Sequence, residues 1–310
     1  MDKLSIKTSW DLIKQTGGEM INNSIFKLSA SLAFYTVFSL GPMLMVIIFL
    51  SNFFWKEQAV EGILAQQIND IVGEKAALQI QDIIKNAAVS GSDITAATTG
   101  IITLAIGATT MFAEIQDSIN SIWKLEVRAE RGWLTLIKNR LLSFSLVVTL
   151  AFILLVSLVI NGLVDSFMNK LREIFPHTTI SLIYIVNIII TLIVTSLLFV
   201  IIFKVLPDAI IRWKDVLVGS VLTAVLFMLG RFAIAFYVRN SDPGSAYGAA
   251  GSIVILLLWI YFSSIILYTG AVFTKCYAIK IGSKIMPNEY AVVVQTIPVE
   301  SQDTSLQSKE

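Results

Sequence analysis

The stretch ISLIYIVNIIITLIVTSLLFVIIF, residues 180–203, contains no charged side chain and decides the fold class. A helix needs about 20 apolar residues to cross the hydrocarbon core of a bilayer at about 1.5 Å per residue. Apolar runs of comparable length recur at residues 28–51, 94–114, 141–160, 215–237 and 249–273. None of them shows the two-residue alternation of a membrane β-barrel strand. The sequence therefore predicts an all-α, polytopic membrane protein with six transmembrane helices.

The composition favours the same class and argues against several others. The chain is 55% hydrophobic and 15% charged, whereas a typical soluble domain is about 25% charged. A formal net charge of +1 offers no basic face for nucleic acid. The sequence has no phosphate-binding loop, and its single histidine, His177, stands in a predicted outer loop. We therefore expect no enzyme, no catalytic residue, no metal site and no cofactor.

Lysine and arginine alternate between rich and poor segments along the chain. They are concentrated before the first run, between the second and third, between the fourth and fifth, and after the sixth. Positively charged loops stay in the cytoplasm. Both termini are therefore expected to be cytoplasmic.

Three regions are expected along the chain. Residues 1–27 are predicted to form a cytoplasmic amphipathic helix that ends near Gly17-Gly18, with Trp10, Ile13 and Ile21 at the membrane interface. Residues 28–285 form the membrane domain. Residues 286–310 form a polar, largely disordered cytoplasmic tail, with a short strand near 290–294.

The long loop between the first two runs, about residues 52–93, has apolar residues at helical spacing on either side of Gly73. This pattern predicts an extracytoplasmic helical hairpin. The hairpin would cap the bundle, lie on the membrane surface or dock a partner protein.

Arg231 is the most informative charge, because it falls inside the fifth run. A guanidinium at the bilayer centre costs about 2.5–3.5 kcal/mol on insertion scales, so it needs water, an acid or a lipid headgroup. Asp165 and Asp242 are candidate partners. Two interpretations stay open: Arg231 faces an outward-open cavity, or it extends to the outer headgroups.

The remaining candidate residues carry weaker signals. Glu114 ends a stripe of small residues in the second run, and this stripe includes Gly100 and Gly107. The stripe either packs against another helix or lines a cavity. Gly219 and Ala224 are candidate packing positions on the fifth run. Two further pairs are candidates. Asn187 and Thr191 in the fourth run would line a polar path or form hydrogen bonds between helices, and Tyr247 with Gly248 before the sixth run would belong to an anion-binding turn.

Several separate segments resemble one family, the YihY/BrkB inner-membrane proteins once labelled ribonuclease BN. They are Ser31-Leu-Ala-Phe-Tyr35, Ser39-Leu-Gly-Pro42, Asp117-Ser-Ile-Asn-Ser-Ile-Trp123, Val205-Leu-Pro207, Trp213-Lys-Asp-Val-Leu-Val-Gly219, and Tyr247-Gly-Ala with Leu258-Trp-Ile-Tyr261 and Gly270-Ala271. The resemblance covers roughly residues 10–285. It implies a six-helix protein of the bacterial cytoplasmic membrane, linked to envelope integrity.

Two functions are weighed on this basis. The first is a transporter or translocation factor for a lipid-linked or small anionic or zwitterionic solute, in which Arg231 meets the anionic group and Glu114 exchanges protons. The second is a non-transporting scaffold of envelope assembly that docks partners through the outer loop. Membrane lipids are the expected partners in both, together with a homo-oligomeric copy or an envelope protein.

Overall fold

A computed structural model of the protein describes residues 6–54, 110–127, 180–241, 247, 251–289 and 291–294. The helices are α1 (Ile6–Asn22), α2 (Ile25–Phe54), α3 (described over residues 110–122), α4 (Ile180–Val205), α5 (Trp213–Ser241) and α6 (Gly251–Lys280). The strands are β1 (Leu125–Val127), β2 (Ala209–Ile210), β3 (Met286–Pro287) and β4 (Ala291–Val293).

Three of the described helices are long and apolar enough to cross a membrane. They supply the segments Ile188–Val205 of α4, Trp213–Val238 of α5 and Ile253–Lys280 of α6. A mostly helical membrane protein is thereby confirmed. The third predicted run lies outside the described residues, as do most of the second run and most of the outer loop at 52–93.

Helix α6 is the centre of the described bundle. It packs against α1, α2 and α5, and α4 packs on the other side of α5. Fully buried side chains from three helices meet in the core, including Ile119 of α3, Phe203 of α4 and Tyr268 of α6. Each of these helices therefore buries one of its sides in the bundle.

Helices α5 and α6 approach closely through two reciprocal glycine–threonine contacts. A Cβ atom added at Gly219 would collide with Thr274, and one added at Gly270 would collide with Thr223. Each threonine hydroxyl donates to a carbonyl of its own helix, Thr223 to Gly219 and Thr274 to Gly270, both at 2.7 Å. The hydroxyls are therefore satisfied without a partner on the other helix, and the small residues allow tight packing.

Helix α1 runs past the glycine pair where the sequence suggested its end. Gly17 and Gly18 stand in the helix with open space around them, so they weaken the helix without breaking it. The helix ends at Asn22, and Ser24 adopts a left-handed conformation with φ 52°. This residue turns the chain directly into α2.

The four strands form two small antiparallel pairs beside the helix ends. Strand β1 follows α3 and pairs with β4, which places Glu126 opposite Val292. Strand β2 lies between α4 and α5 and pairs with β3, which places Ala209 opposite Pro287. The segment after α6 thereby ties α3 to the α4–α5 connection.

Candidate functional site

Four polar side chains meet where the ends of α3, α4 and the segment after α6 come together. Asp208 accepts hydrogen bonds from the amides of Gln116, Asn120 and Asn288, at 3.0, 2.9 and 3.1 Å. The backbone N–H of Asp208 donates to the side-chain oxygen of Asn120 at 2.9 Å. We call these four residues the polar clasp. Hydrogen bonds to a charged group are worth about 1.5–3 kcal/mol each, so the clasp holds the three segments in register.

Further polar contacts strengthen the same end of the bundle. Asp215, in the first turn of α5, accepts from the backbone N–H and the hydroxyl of Ser283, at 3.1 and 2.9 Å. Lys204 donates to the carbonyl of Ile211 and lies 5.3 Å from the ring centre of Trp213. The beginning of α5 is therefore tied both to the end of α4 and to the segment after α6.

Trp123 packs inside the bundle. It follows the second predicted run by nine residues, and an indole near the end of such a run typically anchors to the membrane interface. In the structure its side chain is buried and its Nε1–H donates to the carbonyl of Ala271 at 3.0 Å. Trp123 therefore fixes the end of α3 to α6.

A cleft of about 360 Å³ opens next to the clasp. It is lined by Asp117, Asn120, Ser121, Lys124, Leu125, Glu126 and Val294. Asp117 lies at the solvent-exposed rim. The surrounding protein nevertheless desolvates its carboxyl and raises its pKa, and the negative charges of Glu114 and Asp208 add to this effect. The cleft thus places acidic groups near the predicted site residue Glu114, which is half-buried.

Arg231 lies on the exposed side of α5, within the segment that is long and apolar enough to span a membrane. Its neighbours Phe232 and Phe236 are 68% and 71% exposed. Toward the clasp the same helical face is covered, because Ser220 and Ala224 are fully buried. The face of α5 that carries Arg231 is therefore covered near the clasp and exposed near the arginine.

The remaining candidate residues from the sequence do not gather at one site among the residues that the structure describes. Gly219 and Ala224 are buried in the bundle, Thr191 is half-buried on α4, and Tyr247 is 59% exposed. Asn187 belongs to α4. Five candidates lie outside the described residues: Asp165, Asp242, Gly100, Gly107 and Gly248. Among the residues that the structure does describe, no group of three His, Cys, Asp or Glu side chains is placed to hold a metal ion.

The polar clasp was missed by the sequence reasoning. Its other three members lie 80 to 92 residues from Asp208 along the chain, and each is an ordinary polar residue. A signal was nevertheless present, because Asn120 and Pro207, the residue before Asp208, belong to two of the segments that carry the family resemblance.

Comparison with protein families gives a match over most of the chain. The family described as virulence factor BrkB matches residues 17–289. No solved structure matches the chain.

Individual relatives are similar but distant. A UPF0761 membrane protein of Saccharophagus degradans is 25% identical over 276 residues, covering 84% of this chain and 58% of the relative. One from Tolumonas auensis is 29% identical and covers 56% of this chain and 55% of the relative. One from Aeromonas salmonicida is 24% identical and covers 79% of this chain and 81% of the relative. The chain thus spans little more than half the length of the first two relatives.

Proposed function

The chain belongs to the family described as virulence factor BrkB and is similar to proteins named as membrane proteins, and on this basis we propose that it translocates an anionic molecule across the bacterial inner membrane. The substrate class is a lipid-linked or small anionic or zwitterionic solute. The observation that carries this proposal is the exposed position of Arg231 on an apolar membrane-spanning helix.

The cost of placing a guanidinium in this position requires a compensating partner. Arginine in the middle of a membrane helix costs about 2.5–3.5 kcal/mol even on the more lenient scales. A phosphate or carboxylate can accept two parallel hydrogen bonds from the guanidinium, which offsets this cost and gives orientation. Arg231 would therefore bind the anionic group of the substrate, and the exposed Phe232 and Phe236 beside it would contact acyl chains or apolar parts.

The change in packing along α5 supports a path beside Arg231. The reciprocal contacts of Gly219 and Gly270 close the α5–α6 contact near the clasp. Beyond Ala224, which is fully buried, the same face of α5 becomes exposed at Arg231 and Ala235. A substrate would be accommodated at this exposed part of the face, while the clasp holds the other end of the helices in place.

Glu114 is assigned the exchange of protons in this proposal. It is half-buried on α3 and close enough to Asp117 to raise the pKa of that carboxyl. A carboxyl with a raised pKa gains and loses its proton nearer to neutral pH than an isolated one. In this proposal Glu114 acts together with Asp117, and substrate movement is coupled to protons at the end of the bundle that holds the clasp.

Reconstituted vesicles test this function. Wild type, Arg231→Ala and Arg231→Lys are placed in vesicles of phosphatidylethanolamine and phosphatidylglycerol under an imposed pH gradient. The flux of a fluorescent anionic phospholipid and of a radiolabelled small anion is then measured. Arg212→Ala is the matched control, because Arg212 is also exposed but lies before the first turn of α5.

We expect wild type and Arg212→Ala to move one of the two probes. The flux of that probe should fall at least about tenfold in Arg231→Ala, equivalent to about 1.4 kcal/mol. Arg231→Lys should give a flux between those of wild type and Arg231→Ala. Equal flux in Arg231→Ala and wild type would overturn the role of Arg231. A wild type that moves neither probe would contradict translocation and favour the scaffold function, which deletion of residues 57–90 then tests.

A further inference from the structure

Helix α1 has three distinct sides. One side packs on the bundle: Leu12 and Thr16 are buried and Glu19 and Met20 are half-buried. This spacing of three to four residues marks one face of a helix with about 3.6 residues per turn. The rest of the helix surface is exposed and divides into two different stripes.

Polar contacts fix the rotation of α1 on α6. The amine of Lys275 lies 2.8 Å from the Glu19 carboxylate, and that of Lys280 lies 3.7 Å from the Asp11 carboxylate. The Thr269 hydroxyl donates to the sulfur of Met20 at 3.7 Å. These contacts extend along α1 from Asp11 to Met20, so the two exposed stripes point in fixed directions.

The first exposed stripe is apolar and the second is polar. Trp10, Ile13 and Ile21 are 68%, 60% and 74% exposed, and with Gly17 they follow helical spacing along one side. The members of the polar stripe are also exposed: Asp11, Lys14, Gln15, Gly18 and Asn22. A helix with a protein side, an apolar side and a polar side fits the boundary between protein, lipid and water.

Exposed apolar side chains continue along the chain from α1 into α2. After the turn at Ser24, the first part of α2 exposes Phe26, Phe34 and Phe38, at 52%, 56% and 69%. Their spacing of eight and four residues places them on one side of α2. Lys14 follows Ile13 and Lys27 follows Phe26 in the sequence, and both lysines are exposed. Long basic side chains next to apolar residues can reach lipid phosphates.

We propose that the stripe of Trp10, Ile13, Gly17 and Ile21 lies in the headgroup–acyl boundary of the bilayer, with the polar stripe in water. The occupant of this surface is the lipid bilayer itself. Because Glu19 and Asp11 bind α6, this contact anchors the end of the central helix to the membrane surface. The inference does not depend on the proposed translocation activity.

Site-directed spin labels test the arrangement. Single cysteines are introduced at Ile13 and Ile21 of the apolar stripe, and at Gln15 and Gly18 of the polar stripe as matched controls. All four positions are exposed, so a label fits without disturbing the packing. The parent protein, whose Cys276 is buried, is the blank, and a Cys276→Ala background replaces it if the buried thiol reacts.

The labelled proteins are placed in nanodiscs of phosphatidylethanolamine and phosphatidylglycerol, and the accessibility of each label to oxygen and to a water-soluble nickel chelate is measured. Oxygen concentrates in the acyl region and the chelate stays in water. We expect the oxygen-to-nickel ratio at Ile13→Cys and Ile21→Cys to exceed that at Gln15→Cys and Gly18→Cys several-fold. Four equal ratios, or the reverse order, would overturn the proposal.

Discussion

The two ends of α5 are held in different ways. At its beginning, Asp215 accepts two hydrogen bonds from Ser283, and the neighbouring Asp208 is bound by three side-chain amides. Toward its other end, Arg231, Phe232 and Phe236 are exposed. The difference indicates that polar contacts fix one end of α5, whereas an arginine and exposed aromatic side chains mark its other end. Substitutions at the two ends should therefore act on different properties.

The largest effect on stability is expected at the close contact of α5 and α6. Gly270→Ala would drive a methyl group into Thr223, whose Cβ lies 2.9 Å from the new atom, and overpacking of this kind costs about 1–3 kcal/mol or more. Thermal unfolding in detergent measures the loss.

Gly18→Ala is the matched control for Gly270→Ala. Nothing lies within 4 Å of the added atom at that position, and alanine is the better helix former by about 1 kcal/mol. Gly18→Ala should therefore unfold at the wild-type temperature or above it. Equal midpoints for Gly270→Ala and Gly18→Ala would show that the α5–α6 contact is looser than the structure has it.

A somewhat smaller effect is expected in the polar clasp. Asp208→Ala leaves the amides of Gln116, Asn120 and Asn288 without their shared acceptor, and because the site is only partly buried, water replaces some of the lost bonds. We expect a loss of about 2 kcal/mol in the free energy of unfolding. Glu289→Ala is the control, because Glu289 is an exposed acid that directly follows Asn288 in the sequence. It should leave the free energy of unfolding unchanged. A loss as large as that of Asp208→Ala would mean that net charge matters and the clasp does not.

The ion pair between Glu19 of α1 and Lys275 of α6 should contribute less to the free energy of unfolding than the clasp does. Its contribution should depend on pH. The hydrogen bond from Lys275 lowers the pKa of the Glu19 carboxyl below its ordinary value. A lowered pKa in the folded state stabilises the protein above the unfolded-state pKa, and this stabilisation disappears as the pH falls through the folded-state pKa. Glu19→Gln should cost up to about 1 kcal/mol at pH 7.

Thermal unfolding of wild type and Glu19→Gln across a pH series measures this contribution. The gap between the two midpoints should be constant from neutral pH down to about pH 5 and should close below the ordinary glutamate pKa of about 4.3. A gap that persists at the lowest pH would show that Glu19 acts through packing and not through its charge.

The smallest effect on stability is expected at Arg231. Its side chain is exposed, so Arg231→Ala should change the free energy of unfolding by less than about 0.5 kcal/mol. Arg212→Ala serves as the comparison, and thermal unfolding in detergent is again the measurement. A loss comparable to that of Asp208→Ala would place Arg231 in the structural framework and remove the contrast between the two ends of α5.

The helices were predictable from sequence because hydropathy is a local property. Residues 180–203 read as a membrane helix by length and apolarity alone, and α4 covers them. The turn at Pro207-Asp208 likewise follows from the inability of proline to continue a helix. The predicted helix end at Gly17-Gly18 was wrong, because the neighbouring residues and the contacts to α6 keep α1 helical through Asn22.

The contacts of the candidate site were not predictable, because they join distant parts of the chain. Sequence alone shows that Asn120 and Asp208 are polar and near helix ends, but not that they bind each other at 2.9 Å. Trp123 looked like an interface anchor, since nothing local indicates that Ala271 offers a carbonyl to its indole. The position of Arg231 in an apolar run could be recognised as unusual from the sequence. Its exposure could not, because that depends on how α5 packs on its neighbours.

The proposed binding of an anionic lipid group by Arg231 is tested most directly by native mass spectrometry of the protein released from a membrane mimetic. Wild type, Arg231→Ala and Arg212→Ala are compared for retained lipid. Wild type and Arg212→Ala should carry a bound anionic lipid that Arg231→Ala lacks. Equal retention in all three proteins would contradict the assignment of the anionic group to Arg231.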